Sequence, residues 1–204
     1  MATKKPYHKE DLRGDLLKAG RAWIAANGHV GFSMRTLAQQ VGVSPGAPYH
    51  HFPDRRAFLL ALALDGFREM LARSDAIAAT FDHPADKLRA LGAVFIQFAE
   101  ESPHLVDLMY ESELTTPAID PELLAFQMRG HTAVRAAVAA SIPGLDEEAI
   151  ELRTLAFWSA IYGFASMRRK GVIRPVPGSV SGAMIADKLA EAIAERAIVA
   201  ALAP

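Results

Sequence analysis

Between Ser33 and Phe58 the chain reads SMRTLAQQVGVSPGAPYHHFPDRRAF, a run of hydroxyl, guanidinium and imidazole groups that suits gripping a polyanion better than breaking a bond. The charge balance points the same way. Residues 1–56 hold nine Lys/Arg against four acids, a net +5, and the remainder holds thirteen against nineteen, a net −6. A basic front on an acidic body implies a polyanion-binding head; on charge alone, a chance bias of a solvated surface reads identically. Bond-breaking chemistry has no carrier here. The sequence lacks a GxSxG elbow borne on a strand, a phosphate-binding P-loop, HExxH and the two Glu-x-x-His motifs of di-iron bundles. The acids at Glu100-Glu101 and at Asp146, Glu147, Glu148 and Glu151 read as solvated faces and helix N-terminal charges. His50 and His51 are adjacent, so on a helix they face different ways and make a poor metal pair. No enzyme activity, metal or cofactor is expected.

The elements that must position these groups are helices. Alanine and leucine dominate, and no sustained alternation of β-branched residues argues for a strand. A first helix is predicted from about Lys9 to Ala26, burying Leu12, Leu16, Ala19 and Trp23 and ending at Asn27-Gly28. Ser33 is a good N-cap for a second, in which Met34, Leu37, Ala38 and Val41 repeat at helical spacing before Gly42 stops it. Ser44-Pro45 reads as an N-cap with proline at the first helical position, opening a brief third helix that ends near Phe52-Pro53; Asp54 caps a fourth. Two short helices joined by Gly-Val-Ser, crossing closely at Ala38 and Val41, have helix-turn-helix geometry, which presents its second helix to the DNA major groove.

This segment resembles the DNA-binding motif of the TetR family. The pattern is a capping hydroxyl, R-x-apolar-A, G-V-S, Y-x-H-F, then a capping acid and a basic residue. Ser33, Arg35, Leu37, Ala38, Gly42, Val43, Ser44, Tyr49, His51, Phe52, Asp54 and Arg55 match it, over about a quarter of the chain. The resemblance implies roles. Ser33, Arg35 and Thr36 sit at a helix start that can hold a phosphate. Tyr49 and His50 reach phosphate or sugar. Arg55 stands where the family usually has a phosphate-binding lysine, and brings a planar fork in place of a point charge. Ser44, Pro45, Gly46 and Ala47 lie nearest the base edges and carry little hydrogen-bonding capacity, so base reading leans on thymine methyls, His50 and DNA shape. Pro48 departs from the family's apolar branched residue and removes a helical N–H bond to the Ser44 carbonyl, which distorts the start of that helix. Phe52 reads as a packed side chain, and His51 as a packed or capping one.

Residues 57–204 resemble the ligand-binding and dimerisation half of the family more loosely, which divides the chain into a head of residues 1–56 and a helical body of 57–204. Trp158-Ser159-Ala160-Ile161-Tyr162-Gly163 is similar to the Trp…His-Gly signature of one subgroup, with Tyr162 replacing the histidine. Helices are expected from Pro84, Pro103 and Pro121, from about Asp146 to Lys170, and from about Ser181 to Leu202 with Met184 and Ile185 on its apolar side; Gly171–Gly178 reads as an irregular connector. Phe95, Phe98, Met109, Tyr110, Phe126, Trp158 and Tyr162 are the candidate lining of a cavity for a small apolar effector. Met128, Phe157, Phe164 and Met167 share those faces; for any one of these residues, plain core packing is the competing reading. His104 and His131 could add pH or ligand sensitivity, His131 from the surface. By family likeness the two C-terminal helices pair into a homodimer, whose two-fold axis implies a palindromic operator, and effector binding shifts the population away from operator-bound DNA. An activating or DNA-bending protein is the alternative use of the same motif.

All-α, with 51% apolar and 22% charged residues, the chain has material for a real core. It has no cysteine, no apolar stretch after its basic N-terminus and no apolar run longer than Ala57 to Leu64. A bacterial, cytoplasmic, membrane-free protein is expected.

Overall fold

Among the described residues, each of the first seven α-helices starts at a capping side chain or a proline. In the computed structural model, which describes residues 11–173 and 189–202, those marks became helix boundaries. Helix α1 (Leu12–Asn27) opens where the Asp11 carboxylate accepts the Gly14 amide at 2.9 Å. Residues 9 and 10, where the first helix was predicted to start, lie outside the described residues. Ser33 caps α2 (Met34–Val41), accepting from the Thr36 amide at 3.5 Å. Gly42 ends α2 at φ +81°, a left-handed conformation that a side chain would strain. Asp54 accepts the Ala57 amide at 2.7 Å and starts α3 (Arg55–Ala78). Prolines open α4 (Pro84–Glu101), α5 (Pro103–Tyr110) and α6 (Pro121–Ser141), where the lost N–H is unpaired in any helix. Asp146 caps α7 (Glu147–Arg169), and α8 spans Leu189–Leu202. No strand occurs among the described residues. The expected start of the last helix at Ser181, with Met184 and Ile185, and most of the Gly171–Gly178 connector lie outside them.

The third helix of the motif is not the one predicted. Ser44 makes no side-chain cap, and the regular segment is a 3-10 helix, Ala47–His50, entered from Gly46. The Ala47 amide donates to the Ser44 carbonyl at 3.0 Å, an i to i−3 bond. Pro48 has no N–H to take the i to i−4 bond to that same carbonyl, so the turn stays tight. Pro48 itself is buried, and His51, expected to pack or to cap, is exposed.

Around this segment α1, α2 and the first turns of α3 enclose an aromatic core. Phe58, fully buried, stacks on Phe32 at 5.1 Å and meets Phe52 edge-on at 4.9 Å; Trp23 meets Phe32 edge-on at 5.3 Å. Gly20 of α1 lets Phe58 in, for a Cβ there would lie 2.4 Å from the Phe58 Cζ. Helix α3 then continues without a break into the body, across the expected boundary at residue 56, and packs on α4, α5 and α6. α5 also touches α1, so it lies between head and body. α4 packs against α6, α7 and α8, and α7 against α8.

Candidate nucleic-acid interface and ligand cavity

The head presents a polar edge. Arg35, Thr36, Ser44, Pro45, Gly46 and His50 are exposed, Ser33 and Ala47 half-buried, and Tyr49 is 50% exposed although it follows the buried Pro48. The 3-10 helix packs on α2, so these residues share one end of the head, flanked by the capped starts of α2 and α3. Arg35 makes no ion pair among the described residues.

The other head arginines are engaged, which the charge count alone did not reveal. Arg21 pairs with Glu69, and Arg56 with Asp120 at 3.0 Å. Arg13 stacks over Phe52 with its guanidinium carbon 5.3 Å from the ring centre. Arg55, expected to grip a phosphate, instead donates from Nε to the Phe32 carbonyl and from Nη2 to the His29 carbonyl, both at 2.9 Å, and pairs with Glu113. Its planar fork reaches three separated acceptors from three different nitrogens, a spread that the single nitrogen of a lysine lacks. Three of the head's nine cations therefore bind it to the acidic body. Arg55→Lys should accordingly lower the thermal midpoint nearly as much as Arg55→Ala, because both remove the fork; equal stability of the lysine variant and the parent would contradict this bracket.

A second polar cluster joins α5 to α7. The Arg169 side chain is only 4% exposed, and donates to Asp107 at 2.8 Å and to Glu111 at 2.7 Å, while its Nη1 is buried with no partner among the described residues. Glu111 also takes the Tyr162 hydroxyl and the Lys170 ammonium, each at 2.7 Å. Burial by itself would raise the Glu111 carboxyl; the hydrogen bonds from Lys170 and Tyr162 and the charges of Arg169 and Lys170 outweigh it and hold it at about 2. Burial, then the bond to Glu111, pushes the Tyr162 phenol up to about 12. On the head side, burial lowers His29, against the pull of Asp107 and Glu113. His104 lies 3.6 Å from Asp107, next to Gly28.

The body contains two adjoining cavities of about 460 and 290 Å³. Met70, Phe95, Gly130 and Trp158 line both; Tyr110, Phe126 and Tyr162 line the smaller. Five of the seven proposed lining residues thus come together, with Phe95 meeting Trp158 edge-on at 5.4 Å and Tyr110 at 5.9 Å. Phe98 and Met109 do not line either cavity. Both are completely buried: Arg73 stacks over the Phe98 ring, and the Met109 sulfur packs where a Gly66 side chain would be. They sit on the inward stripes of α4 and α5, which periodicity alone cannot tell from a cavity wall. His131, expected at the surface, has a side chain only 20% exposed, lies 3.2 Å from Glu151 and lines the smaller cavity. Met70, Arg129, Gly130 and Gln127 were missed. Gly130, a glycine inside a helical run, was the one visible signal.

Leu152 and Met167 of α7 are 60 and 42% exposed, and Val199 of the adjoining α8 is 66% exposed, whereas Leu155, 48% exposed, lines the smaller cavity. No helix among the described residues is long and apolar enough to cross a membrane.

Comparison with known proteins gives these features a context. Residues 16–62 match the family of bacterial regulatory proteins called tetR, and residues 88–193 match the tetracyclin repressor-like C-terminal domain. The transcriptional regulator UidR of Escherichia coli K12 is 30% identical over 120 residues, 59% of this chain and 54% of UidR, so the chain spans about half the length of that relative. A Rhodococcus sp. RHA1 protein of unknown function superimposes with a TM-score of 0.77 at 24% identity, covering 98% of this chain and 97% of that one. AibR, solved with isovaleryl coenzyme A and operator DNA, superimposes at 0.65 and 17% identity over 93% of this chain and 97% of its own. These two structures share the all-helical fold.

Proposed function

Because this chain belongs to the TetR family of bacterial regulatory proteins, we propose that it is a DNA-binding transcriptional regulator, a cytoplasmic repressor that leaves its operator when a small apolar molecule fills its body. The observation that carries this reading is the exposure of Arg35, Thr36, Tyr49 and His50 at one end of the head, beside two capped helix starts. Helix starts offer unpaired amides and partial positive charge to phosphates, and the exposed segment between them is free to enter a groove. The 3-10 turn, with Ser44 to Ala47 at its leading end, presents almost no side-chain donors to base edges. Sequence preference then comes mainly from His50, thymine methyls and DNA shape.

Two reading heads are needed for a palindrome, and the exposed stripe on α7 and α8 supports a homodimer formed there. The cavity supports the effector. A ligand that fits it only in the conformation with badly spaced heads shifts the population off the operator. AibR, which has been solved with a ligand and operator DNA together, is an instance of the same fold holding both.

The test is to retain duplexes from a random pool on the purified protein and sequence them. A two-fold symmetric consensus is expected; indiscriminate retention would refute specific repression. On the recovered site, Arg35→Ala should weaken binding and reduce the slope of log affinity against log salt by about one unit, the share of one phosphate contact. Tyr49→Ala should weaken binding by about tenfold with the slope unchanged, because it removes a neutral contact. An unchanged slope for Arg35→Ala would remove that arginine from the interface.

A further inference from the structure

We propose that the two lobes of the body cavity form one site for an elongated, uncharged, largely apolar molecule carrying a hydrogen-bond acceptor, with Tyr110 as its donor and Gly130 holding the neck between the lobes open. This rests on the preceding reading that the body binds an effector, and narrows what the effector is.

The charged groups of the lining are already matched. Arg129 pairs with Asp75, both lining the larger lobe, and the His131 ring of the smaller lobe lies within hydrogen-bonding distance of Glu151, at 3.2 Å. Arg129 and Asp75 are 59 and 60% exposed, so their pair is a weak one at the solvent-facing rim, and an ion held deeper in the cavity would stay desolvated without a counter-charge. Most of the uncharged polar groups are also satisfied. The Ser74 hydroxyl donates to the Met70 carbonyl at 3.0 Å and the Thr132 hydroxyl to the Met128 carbonyl at 2.8 Å, each turned back onto its own helix. Tyr162 donates to Glu111.

The Tyr110 hydroxyl, the Gln127 amide and the Trp158 indole N–H remain. None makes a hydrogen bond among the described residues; Tyr110 and Gln127 belong to the smaller lobe, and Trp158 lines both. Tyr110 stands among the rings of Phe67, Phe95 and Tyr162, with centroids 5.2, 5.9 and 5.6 Å away. Burial pushes its phenol above the usual value, so it stays a donor at neutral pH. Tyr110 is half-buried and lines the smaller lobe, so its hydroxyl is open to a ligand carbonyl or ether as its acceptor.

The lobes meet at Met70, Phe95, Gly130 and Trp158. Gly130 lies inside α6, where glycine is a poorer helix former than alanine. Nothing crowds it into being glycine. A Cβ there would lie 3.9 Å from both Leu71 Cδ2 and Trp158 Cζ2, ordinary contact distances. What the missing side chain provides is the passage between Leu71 and Trp158, and hence a site long enough for an extended molecule.

The chain has two tryptophans, so Trp23→Phe leaves Trp158 as the sole indole and a reporter at the neck. In that background 2-undecanone, undecanoate and undecyltrimethylammonium are titrated against Trp158 fluorescence. The ketone should bind at least tenfold more tightly than either ion. Tyr110→Phe should weaken the ketone by about tenfold, the loss of one buried hydrogen bond. Gly130→Ala should raise the thermal midpoint while weakening the ketone, and Gly130→Leu should abolish its binding. Preference for either ion, no response to the ketone, or a Tyr110→Phe variant that binds it unchanged would overturn the proposal. The same titrations on protein bound to its recovered duplex separate the two readings. An ion that binds and releases DNA leaves effector control standing and sinks the uncharged site; a ketone that binds as expected without releasing DNA does the reverse.

Discussion

Phe58→Ala is expected to destabilise the protein by about 3–5 kcal/mol, the range for truncating a fully buried phenylalanine, and to abolish DNA binding at 37 °C. Phe58 is 0% exposed, and it is the ring on which Phe32 and Phe52 both pack. It belongs to the first turn of α3, so the cavity left behind would open inside the head, between α1 and the helix-turn-helix segment. The complementary change, Gly20→Ala, removes the space that ring occupies. Its added Cβ would overlap Phe58 Cζ at 2.4 Å. Overpacking of this kind costs about 1–3 kcal/mol, more than the gain of about 1 kcal/mol for replacing a helix-interior glycine. Urea denaturation of both variants checks the pair. A Gly20→Ala variant more stable than the parent would show that α1 and α3 slide apart freely, and the close crossing described here would be wrong.

Glu111→Gln should carry the second large effect, and its pH dependence is the sharper test. The folded-state carboxyl is held at about 2, below its ordinary value of 4.5. A group depressed in the folded state stabilises it fully above the ordinary value, and that contribution is lost as pH falls through 4.5 toward 2. The parent should therefore exceed the variant in thermal midpoint at neutral pH, with the gap closing over that acid range. The gap at pH 7 should correspond to about 1–3 kcal/mol. Glu111 is 29% exposed in its side chain, which weakens its pairs, but Arg169 is only 4% exposed and would keep Asp107 as its one carboxylate partner. Tyr162 should titrate lower in the same variant, moving from about 12 toward its usual 10. A gap that persists unchanged at pH 2 would mean that the Glu111 charge contributes nothing.

The helical boundaries were legible because each is written in one or two residues. Ser33, Asp54, Asp120 and Asp146 cap the helices they precede, and Pro84, Pro103 and Pro121 open theirs, since cap geometry depends only on neighbours along the chain. The third helix was misjudged for a related reason. Ser44-Pro45 carries a start signal, yet Pro48 three residues later denies the bond that would have extended it, and the turn closed as 3-10. Both signals were visible; their relative weight was not.

Arg55 marks where local reading stops. As the basic residue after a capping acid it looked like a phosphate ligand. Its acceptors are the carbonyls of His29 and Phe32 and the carboxylate of Glu113, as distant as 58 positions along the chain. Likewise Phe98 and Phe95 occupy one helix, only one turn apart, and one is sealed in the core while the other walls a cavity.

By itself, then, the sequence determined the all-helical build, the capped segments of the head and the aromatic wealth of the body, because these follow from neighbours and helical period. Only the tertiary structure decided which cations stay available, which aromatics border empty space, and that His131 turns inward. Charge pairing and cavity walls are set between residues far apart in the chain, by how whole helices stack, and no local pattern encodes that.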